Sequence, residues 1–267
     1  MNNGHYMESI LPRERLARYI METAGSIMLV SFHTHIKTDA KDTNDYVTEV
    51  DTRIEEYARQ TVIGSFPDDS FSGEEGTVVA GNSGFEWVID PIDGTNNYVR
   101  GMPFAGVQLA ILHEGAVVFG IVYRPFTQDI YSASKGKGAF YENRLTGEKR
   151  RIRVSERAMD TSIGIFDDKV GKTENKSTPI FNKLADKIVK ARVYGTAVYD
   201  IPAVAEGSVE FLVTGIAKRY DVAPGWLLVE EAGGAVFGLS SDVSVDDGLV
   251  IFSNAKIKDD LLGVIRG

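Results

Sequence analysis

Two aspartates follow a short apolar run in the segment Glu86–Tyr98, whose sequence is EWVIDPIDGTNNY. Asp90 and Asp93 can face one point from either side of a turn, and Ile92 between them can offer its backbone carbonyl. Oxygen ligands of this kind suit a hard divalent cation, and they suit Mg²⁺ better than Zn²⁺ when room is left for water and phosphate. The segment therefore predicts a magnesium site.

Gly94 and Thr95 follow at once and add a place for an anion. Glycine permits close approach of the backbone, and a helix beginning at Thr95 would point free N–H groups at a phosphate beside the metal. A second interpretation is that Asp90 and Asp93 only cap this helix and shape the turn. These residues alone leave both interpretations of Asp90 and Asp93 open. A calcium-binding loop is set aside, because its alternating Asp/Asn pattern and closing Glu are missing.

Short elements must hold these groups in place. The apolar run before Asp90 predicts an inner strand, and Pro91 is expected to end it there. Upstream, apolar residues at helical spacing predict a long helix after Pro12 that reaches about Phe32. A polar turn at residues 41–51 is expected to lead into a second helix.

Three more acids stand at the ends of predicted elements. Asp51 lies where the second helix begins, and there an N-cap role and a functional role are both open. Glu74 lies in a turn bounded by glycines, the tight setting that a carboxylate aimed at a metal requires. Asp221 lies at the start of a later helix, as a cap or as a third metal carboxylate across a cleft.

Length and composition narrow the class of protein. With 267 residues, 43% of them hydrophobic, the chain can bury a large core. The absence of cysteine excludes disulfides and thiolate metal sites. A formal charge of −9 disfavours direct binding to nucleic acid or anionic lipid. Neither a secretion signal nor a membrane span is found, so we expect a cytoplasmic protein without a membrane partner.

The distribution of strand and helix patterns divides the chain into two halves. Residues 1–157 are expected to form an α+β half with a mainly antiparallel sheet and the main metal-binding motifs. Residues 158–267 alternate between strand and helix, which predicts an α/β half that contributes Asp221 and the substrate loop. No long linker separates them, so we expect the halves to pack rigidly.

Three motifs in this order resemble one known family. They are Gly73-Glu74-Glu75, then Asp90 to Tyr98, then Tyr220-Asp221-Val222-Ala223 with Glu231-Ala232-Gly233-Gly234. The chain resembles the inositol monophosphatase family of Mg²⁺-dependent, lithium-sensitive phosphomonoesterases over nearly its whole length. The resemblance implies a layered αβαβα fold, a homodimer, two to three Mg²⁺ ions per site, inhibition by Li⁺, and a small sugar or polyol phosphate as substrate.

The resemblance also implies roles for single residues. The first metal would be bound by Glu74, Asp90 and the Ile92 carbonyl, and the second by Asp90, Asp93 and Asp221. Glu74 would also reach a weaker third metal.

Catalysis and substrate binding are assigned in the same way. Asp51 and Thr95 would orient the attacking water, and Lys41 would close the site near the third metal. The phosphate would bind backbone N–H groups of Gly94 and Thr95. The loop Gly195-Thr196-Ala197 would line the sugar.

Two positions depart from the family pattern. Thr214 stands where the family has an acid that contacts inositol hydroxyls, and Tyr220 replaces a tryptophan. Inositol as substrate is therefore in doubt, and fructose 1,6-bisphosphate, the 2′-phosphate of NADP and 3′-phosphoadenosine 5′-phosphate are alternatives. A non-catalytic partner of the transcription or ribosome-assembly machinery is the alternative from another class.

Overall fold

The computed structural model describes residues 3–32, 38–42, 45–167, 176–215, 218–239, 243–245 and 248–267. The helices are α1 Asn3–Ser31, α2 Glu49–Ser65, α3 Thr95–Val99, α4 Ser177–Leu184, α5 Ala197–Ala205, α6 Arg219–Glu231 and α7 Lys258–Arg266. The strands are β1 Thr38–Asp42, β2 Asp45–Thr48, β3 Ser70–Gly73, β4 Val78–Val79, β5 Phe85–Asp93, β6 Gly106–His113, β7 Ala116–Arg124, β8 Asp129–Ser134, β9 Gly138–Asn143, β10 Lys149–Arg151, β11 Ile163–Asp167, β12 Lys190–Arg192, β13 Phe211–Thr214, β14 Gly234–Phe237 and β15 Val250–Asn254.

Two sheets carry the fold. The first has eight strands in the order β10-β9-β8-β7-β6-β5-β3-β4, and all its neighbours are antiparallel except β3 and β5. The second has five strands in the order β12-β11-β13-β15-β14, with β11 parallel to β12 and β13. The antiparallel first half and the mixed second half match the predicted change of pattern, while the boundary near residue 157 stays a prediction.

The helices lie in three layers that enclose these sheets. Buried residues of α1 and α2 pack on one face of the large sheet. Those of α5 and α6 fill the space between the two sheets. Those of α4 and α7 cover the outer face of the small sheet. The layered αβαβα fold expected from the resemblance is therefore confirmed.

Several local predictions were wrong. Strand β5 does not end at Asp90 but continues through Pro91 to Asp93. Helix α1 begins well before Pro12, which it contains. The polar segment before the second helix forms the hairpin β1–β2, and strand β14 was not predicted. For β5, pairing with β6 outweighs the local pattern. No helix in the described ranges is both long and apolar enough to cross a bilayer.

Candidate active site

A bulge in strand β5 brings Asp90 and Asp93 to the same site. Asp90 pairs with Gln108 and Asp93 pairs with Gly106. Two residues of β5 therefore lie opposite a single residue of β6 between these two pairs. Successive side chains of a regular strand alternate between faces, which would place residues 90 and 93 on opposite sides. The extra residue cancels this alternation, as bulges beside functional sites often do.

Gly94 turns the chain from β5 into helix α3. It precedes Thr95 as the N-cap in the left-handed region, with φ of 86°. A Cβ atom here would lie 2.7 Å from the carbonyl oxygen of Phe104 and 3.1 Å from Cβ of Thr196. The position therefore requires glycine for both its conformation and its surroundings. The helix begins at Thr95, as predicted.

Gly94→Ala is expected to lower both stability and turnover. The left-handed conformation and the contact with a backbone oxygen together cost roughly 2 kcal/mol or more, or about 4 °C in melting temperature. Gly147→Ala is the matched control, since Gly147 has φ of 72° and open space around its Cβ position. Thermal melting and turnover measurements on both variants check the prediction. Equal losses of melting temperature in the two variants would contradict the role of close packing at Gly94.

Asp51 lies at the third position of helix α2 and completes a capping box with Thr48, the N-cap. Its Oδ2 accepts hydrogen bonds from the backbone N–H of Thr48, at 2.9 Å, and from the Thr48 hydroxyl. The Thr95 hydroxyl donates to the Ile92 carbonyl at 2.8 Å and lies 3.4 Å from Oδ1 of Asp51. Thr48, and not Asp51, is therefore the N-cap; Asp51 supports the cap from the third helical position, and its Oδ1 still faces Thr95.

Burial raises the pKa of Asp51 to about 6, and the charge of Glu74 adds to this rise, whereas the hydrogen bonds from Thr48 oppose it. A carboxyl group with a pKa near the working pH is suited to accept a proton from an attacking water. Asp51 is fully buried, so its orientation is fixed by the helix and not by solvent.

Glu74 follows β3 and is placed by a residue that the sequence analysis missed. Buried Glu55 of α2 accepts hydrogen bonds from the backbone N–H of Glu75 at 2.7 Å and of Thr77 at 3.1 Å. The turn that carries Glu74 is therefore tied to α2 through two charge-assisted bonds. The sequence did offer one clue to Glu55: it is an acidic residue among the apolar residues of the inner face of α2.

Glu55→Gln is expected to weaken metal binding without removing a ligand. An amide offers one acceptor in place of two, so one of the two N–H groups loses its partner and the turn shifts. We expect a Mg²⁺ requirement raised about tenfold, as for other groups that orient ligands. The control is Glu56→Gln, which removes an exposed ion pair with Arg59 and affects a hydrogen bond from Gln60, both on the surface of α2. Titration of activity with Mg²⁺ checks this, and identical curves would contradict it.

Asp221 reaches the site from the second half of the chain. It occupies the third position of α6, and its Oδ2 accepts from the backbone N–H of Lys218 at 2.8 Å. Two bonds of 2.7 and 2.8 Å join Arg219 to Glu86, which anchors the start of α6 to strand β5. The two halves therefore meet through the start of α6 and the strand β5, which ends in the predicted metal-binding motif.

The four acids of the predicted metal set influence one another strongly. Burial, together with the charges of Glu74, Asp93 and Asp221, raises the pKa of Asp90 well above its usual range. Burial raises the pKa of Asp93 to about 7, against hydrogen bonds from Val198 and Thr196. Burial and the charges of Asp93 and Glu74 raise the pKa of Asp221. Such acids are favoured as ions only when a cation is near.

The residues present fit a bound Mg²⁺. Buried Oδ1 of Asp90 accepts no hydrogen bond from the described residues, as expected of an atom reserved for a metal. Within the described ranges, no three acidic or histidine side chains by themselves surround one point closely enough to hold a cation. The Ile92 carbonyl, water and phosphate would complete the shell, which is how Mg²⁺ is commonly bound.

The predicted substrate loop borders this acid cluster. The Thr196 hydroxyl and the backbone N–H of Val198 donate to Oδ2 of Asp93 at 2.8 and 2.5 Å. Gly195, Thr196 and Ala197 line the same cavity as Asp93 and Asp221. Lys41 belongs to strand β1, but its side chain lies outside the described part, so its role stays a prediction. The functional roles of all these residues likewise stay predictions.

The chain is similar in sequence and in fold to known proteins. A model of the inositol monophosphatase family matches residues 13–266. A putative Nus factor SuhB of Neisseria meningitidis is 32% identical over 94% of each chain. A fructose-1,6-bisphosphatase/inositol-1-monophosphatase of Thermotoga maritima is 34% identical over 83% of each. A solved inositol monophosphatase structure from Thermotoga maritima superposes with a TM-score of 0.84 at 28% identity, covering 96% of this chain and 97% of that one. The chain therefore belongs to the inositol monophosphatase family, a family of phosphatases.

Proposed function

We propose that the protein is a Mg²⁺-dependent phosphomonoesterase that hydrolyses a small sugar or polyol phosphate with an activated water. The observation that carries the proposal is that the charges of Glu74, Asp93 and Asp221, from both halves of the chain, act on buried Asp90, whose Oδ1 accepts no hydrogen bond from the described residues. Buried acids that repel one another in this way are costly without a cation. A phosphate ester is negatively charged, and the chain carries a net charge of −9, so binding of the ester needs the same cations.

Each residue of the site contributes to positioning. Glu74, Asp90, Asp93, Asp221 and the Ile92 carbonyl would hold two to three Mg²⁺ ions. Bound Mg²⁺ supplies positive charge to the phosphate and lowers the pKa of the attacking water. The backbone N–H groups of Gly94 and Thr95 would bind phosphate oxygens, and no side-chain nucleophile is required.

Asp51 and Thr95 would control the proton of the attacking water. The Thr95 hydroxyl is fixed by its bond to Ile92 and lies beside Oδ1 of Asp51. A water that donates to the Thr95 oxygen would be oriented for attack. As it attacks, its proton would pass to that oxygen while the Thr95 hydroxyl proton turns from Ile92 and passes to Oδ1 of Asp51, whose pKa of about 6 suits it to accept one. A second water would protonate the departing alkoxide. The rest of catalysis is alignment and charge neutralisation, as in other phosphoryl transfers.

Release of inorganic phosphate tests the proposal. Inositol 1-phosphate, fructose 1,6-bisphosphate, NADP and 3′-phosphoadenosine 5′-phosphate should each be tried with Mg²⁺, with and without Li⁺. We expect Mg²⁺-dependent release that Li⁺ inhibits. Failure of small phosphate esters of every class under Mg²⁺ would overturn the proposal and favour the non-catalytic alternative.

A homodimer is part of the proposal. Met102, Phe104, Val193 and Tyr194 expose between 36% and 69% of their surface. The Asn97 amide donates to the carbonyls of both Phe104 and Tyr194, which places these two apolar residues side by side. Such a patch at the edge of the site favours burial against a second copy. Light scattering with size-exclusion chromatography should give twice the mass of the chain, and the monomer mass would contradict it.

A further inference from the structure

Gln108 is a buried amide directly beside the predicted metal ligand Asp90. The two residues are paired in the register of β5 and β6, so their side chains lie on the same face of the large sheet. Gln108 has no exposed surface and Asp90 has almost none. The next pair on this face, Val88 and Ala110, packs in one cluster with Ala223 of α6. The amide therefore lies in the interior of the protein, on the face of the sheet that α6 covers.

The side chain of Gln108 has one hydrogen-bonding partner among the described residues, and that partner is Asp90. Its Nε2 donates to Oδ2 of Asp90 at 3.5 Å, which is long for a hydrogen bond. Its Oε1 is buried and accepts no hydrogen bond from the described residues. The reverse orientation of the amide would set Oε1 against a carboxylate oxygen, with two acceptors facing each other. The amide therefore turns its N–H groups towards the carboxylate.

Packing alone does not account for an amide at this position. The other residues of β6 on the same face are Gly106, Ala110 and Leu112, which are small or apolar. Burying a polar group without a full set of partners costs free energy, and an apolar side chain of similar size would avoid that cost. The amide differs from such a side chain in one useful respect, since it places a donor beside Asp90.

This donor acts on the carboxylate that the predicted metal set shares between two ions. Oδ1 of Asp90 accepts no hydrogen bond from the described residues, so it is available to a cation. An N–H group at Oδ2 limits rotation of the carboxylate about its last single bond. The amide does this without a positive charge, whereas a lysine or arginine here would compete with the cation. Groups that orient metal ligands commonly set metal affinity in this way.

We propose that Gln108 is a positioning residue for the magnesium site, which holds Oδ2 of Asp90 and so raises the affinity of the protein for Mg²⁺. The proposal rests on the proposed function and adds a residue to its metal site. In this role Gln108 touches neither the substrate nor the reacting atoms. Loss of its donor should therefore raise the Mg²⁺ requirement and leave the rate at saturating Mg²⁺ nearly unchanged.

Gln108→Met tests the proposal, because methionine keeps the length of the side chain and removes the donor. The melting temperature of the full chain is followed as Mg²⁺ is added to the metal-free protein, so the readout does not depend on hydrolysis. Each curve is referred to the same variant without metal, and a change in stability alone therefore does not displace it. We expect the Gln108→Met curve at about tenfold higher Mg²⁺ or more. A curve that coincides with that of the wild type would overturn the proposal.

Gln108→Asn separates the hydrogen bond from the presence of a buried amide. It keeps the amide group but shortens the side chain by one methylene, which draws the donor away from Asp90. Its Mg²⁺ curve should be displaced as in Gln108→Met, and it decides the question if Gln108→Met does not fold. The control is Ser253→Ala on the small sheet, which removes another buried polar atom that has no partner among the described residues. A wild-type curve for Gln108→Asn, or an equal displacement in Ser253→Ala, would overturn the proposal.

Phosphate release by the same proteins separates this proposal from the proposed function. In Gln108→Met we expect kcat at saturating Mg²⁺ close to that of the wild type, with the Mg²⁺ requirement raised as in the melting experiment. Displaced melting curves together with no hydrolysis of any ester by the wild type would overturn the phosphatase activity and support the role of Gln108. A wild-type melting temperature that does not respond to Mg²⁺ would overturn the metal site and this proposal with it.

Discussion

Asp90→Asn is expected to reduce Mg²⁺-dependent phosphate release on the order of a thousandfold. Asp90 is assigned to both metals, so an amide there removes a shared anionic ligand while keeping the shape of the side chain. The residue is almost completely buried, so water cannot replace the lost charge without rearrangement. Turnover measured over a wide range of Mg²⁺ concentration checks this. Near-normal turnover would contradict the metal assignment.

The same substitution should have the opposite effect on stability. The raised pKa of Asp90 means that its charge opposes folding in the metal-free protein. Asn removes this charge, so the metal-free variant should melt a few degrees above the metal-free wild type. In Asp186→Asn, at a side chain that is 79% exposed, turnover and melting should not change. A fall in both activity and stability of Asp90→Asn would indicate a structural role for this residue instead.

The metal-free protein is expected to lose stability as the pH rises from about 5.5 to about 8. Burial raises the pKa of Asp51 to about 6 and that of Asp93 to about 7, and raises those of Asp90 and Asp221. These groups hold protons in the folded state that the unfolded chain releases near pH 4. The folded state therefore binds more protons than the unfolded state through this window, and raising the pH favours unfolding. Mg²⁺ should restore the melting temperature at the higher pH.

Acids whose pKa is lowered in the folded state do not change the stability between about pH 5.5 and about pH 8. The hydrogen bonds and charge of Arg13 hold the pKa of Asp69 below its usual range despite burial. The contribution of such a group is lost only as the pH falls below about 4. Melting curves at about pH 5.5 and about pH 8, each with EDTA and with Mg²⁺, measure this loss of stability. A metal-free protein that is more stable at the higher pH, or a Mg²⁺ effect equal at both, would contradict the electrostatic account of the site.

Much of the site was accessible to sequence analysis because it lies within one short segment. Asp90, Ile92, Asp93, Gly94 and Thr95 are neighbours in the chain, and their spacing predicts a metal, a phosphate and a helix start together. The helix at Thr95 was predicted correctly, since a glycine N-cap depends on local backbone preferences. The family resemblance then extended the set to distant acids in an order that single residues could not supply.

The end of strand β5 shows where local rules fail. Pro91 was expected to stop the strand, yet β5 continues to Asp93 because it pairs with β6 across a bulge. Proline is tolerated at bulges, and the existence of this one depends on the partner strand. The bulge decides that both acids face one site.

By itself, the sequence determined the acid-rich chemistry of the site, the change from antiparallel to alternating patterns and the family. Only the tertiary structure decided that buried Glu55 holds the turn of Glu74 and that Asp167 and Asp200 share a cavity beside Asp221. Helical and strand periodicities report contacts between neighbours in the chain. The convergence of side chains far apart in sequence depends instead on how the two sheets pack around α5 and α6, and local periodicity does not record that packing.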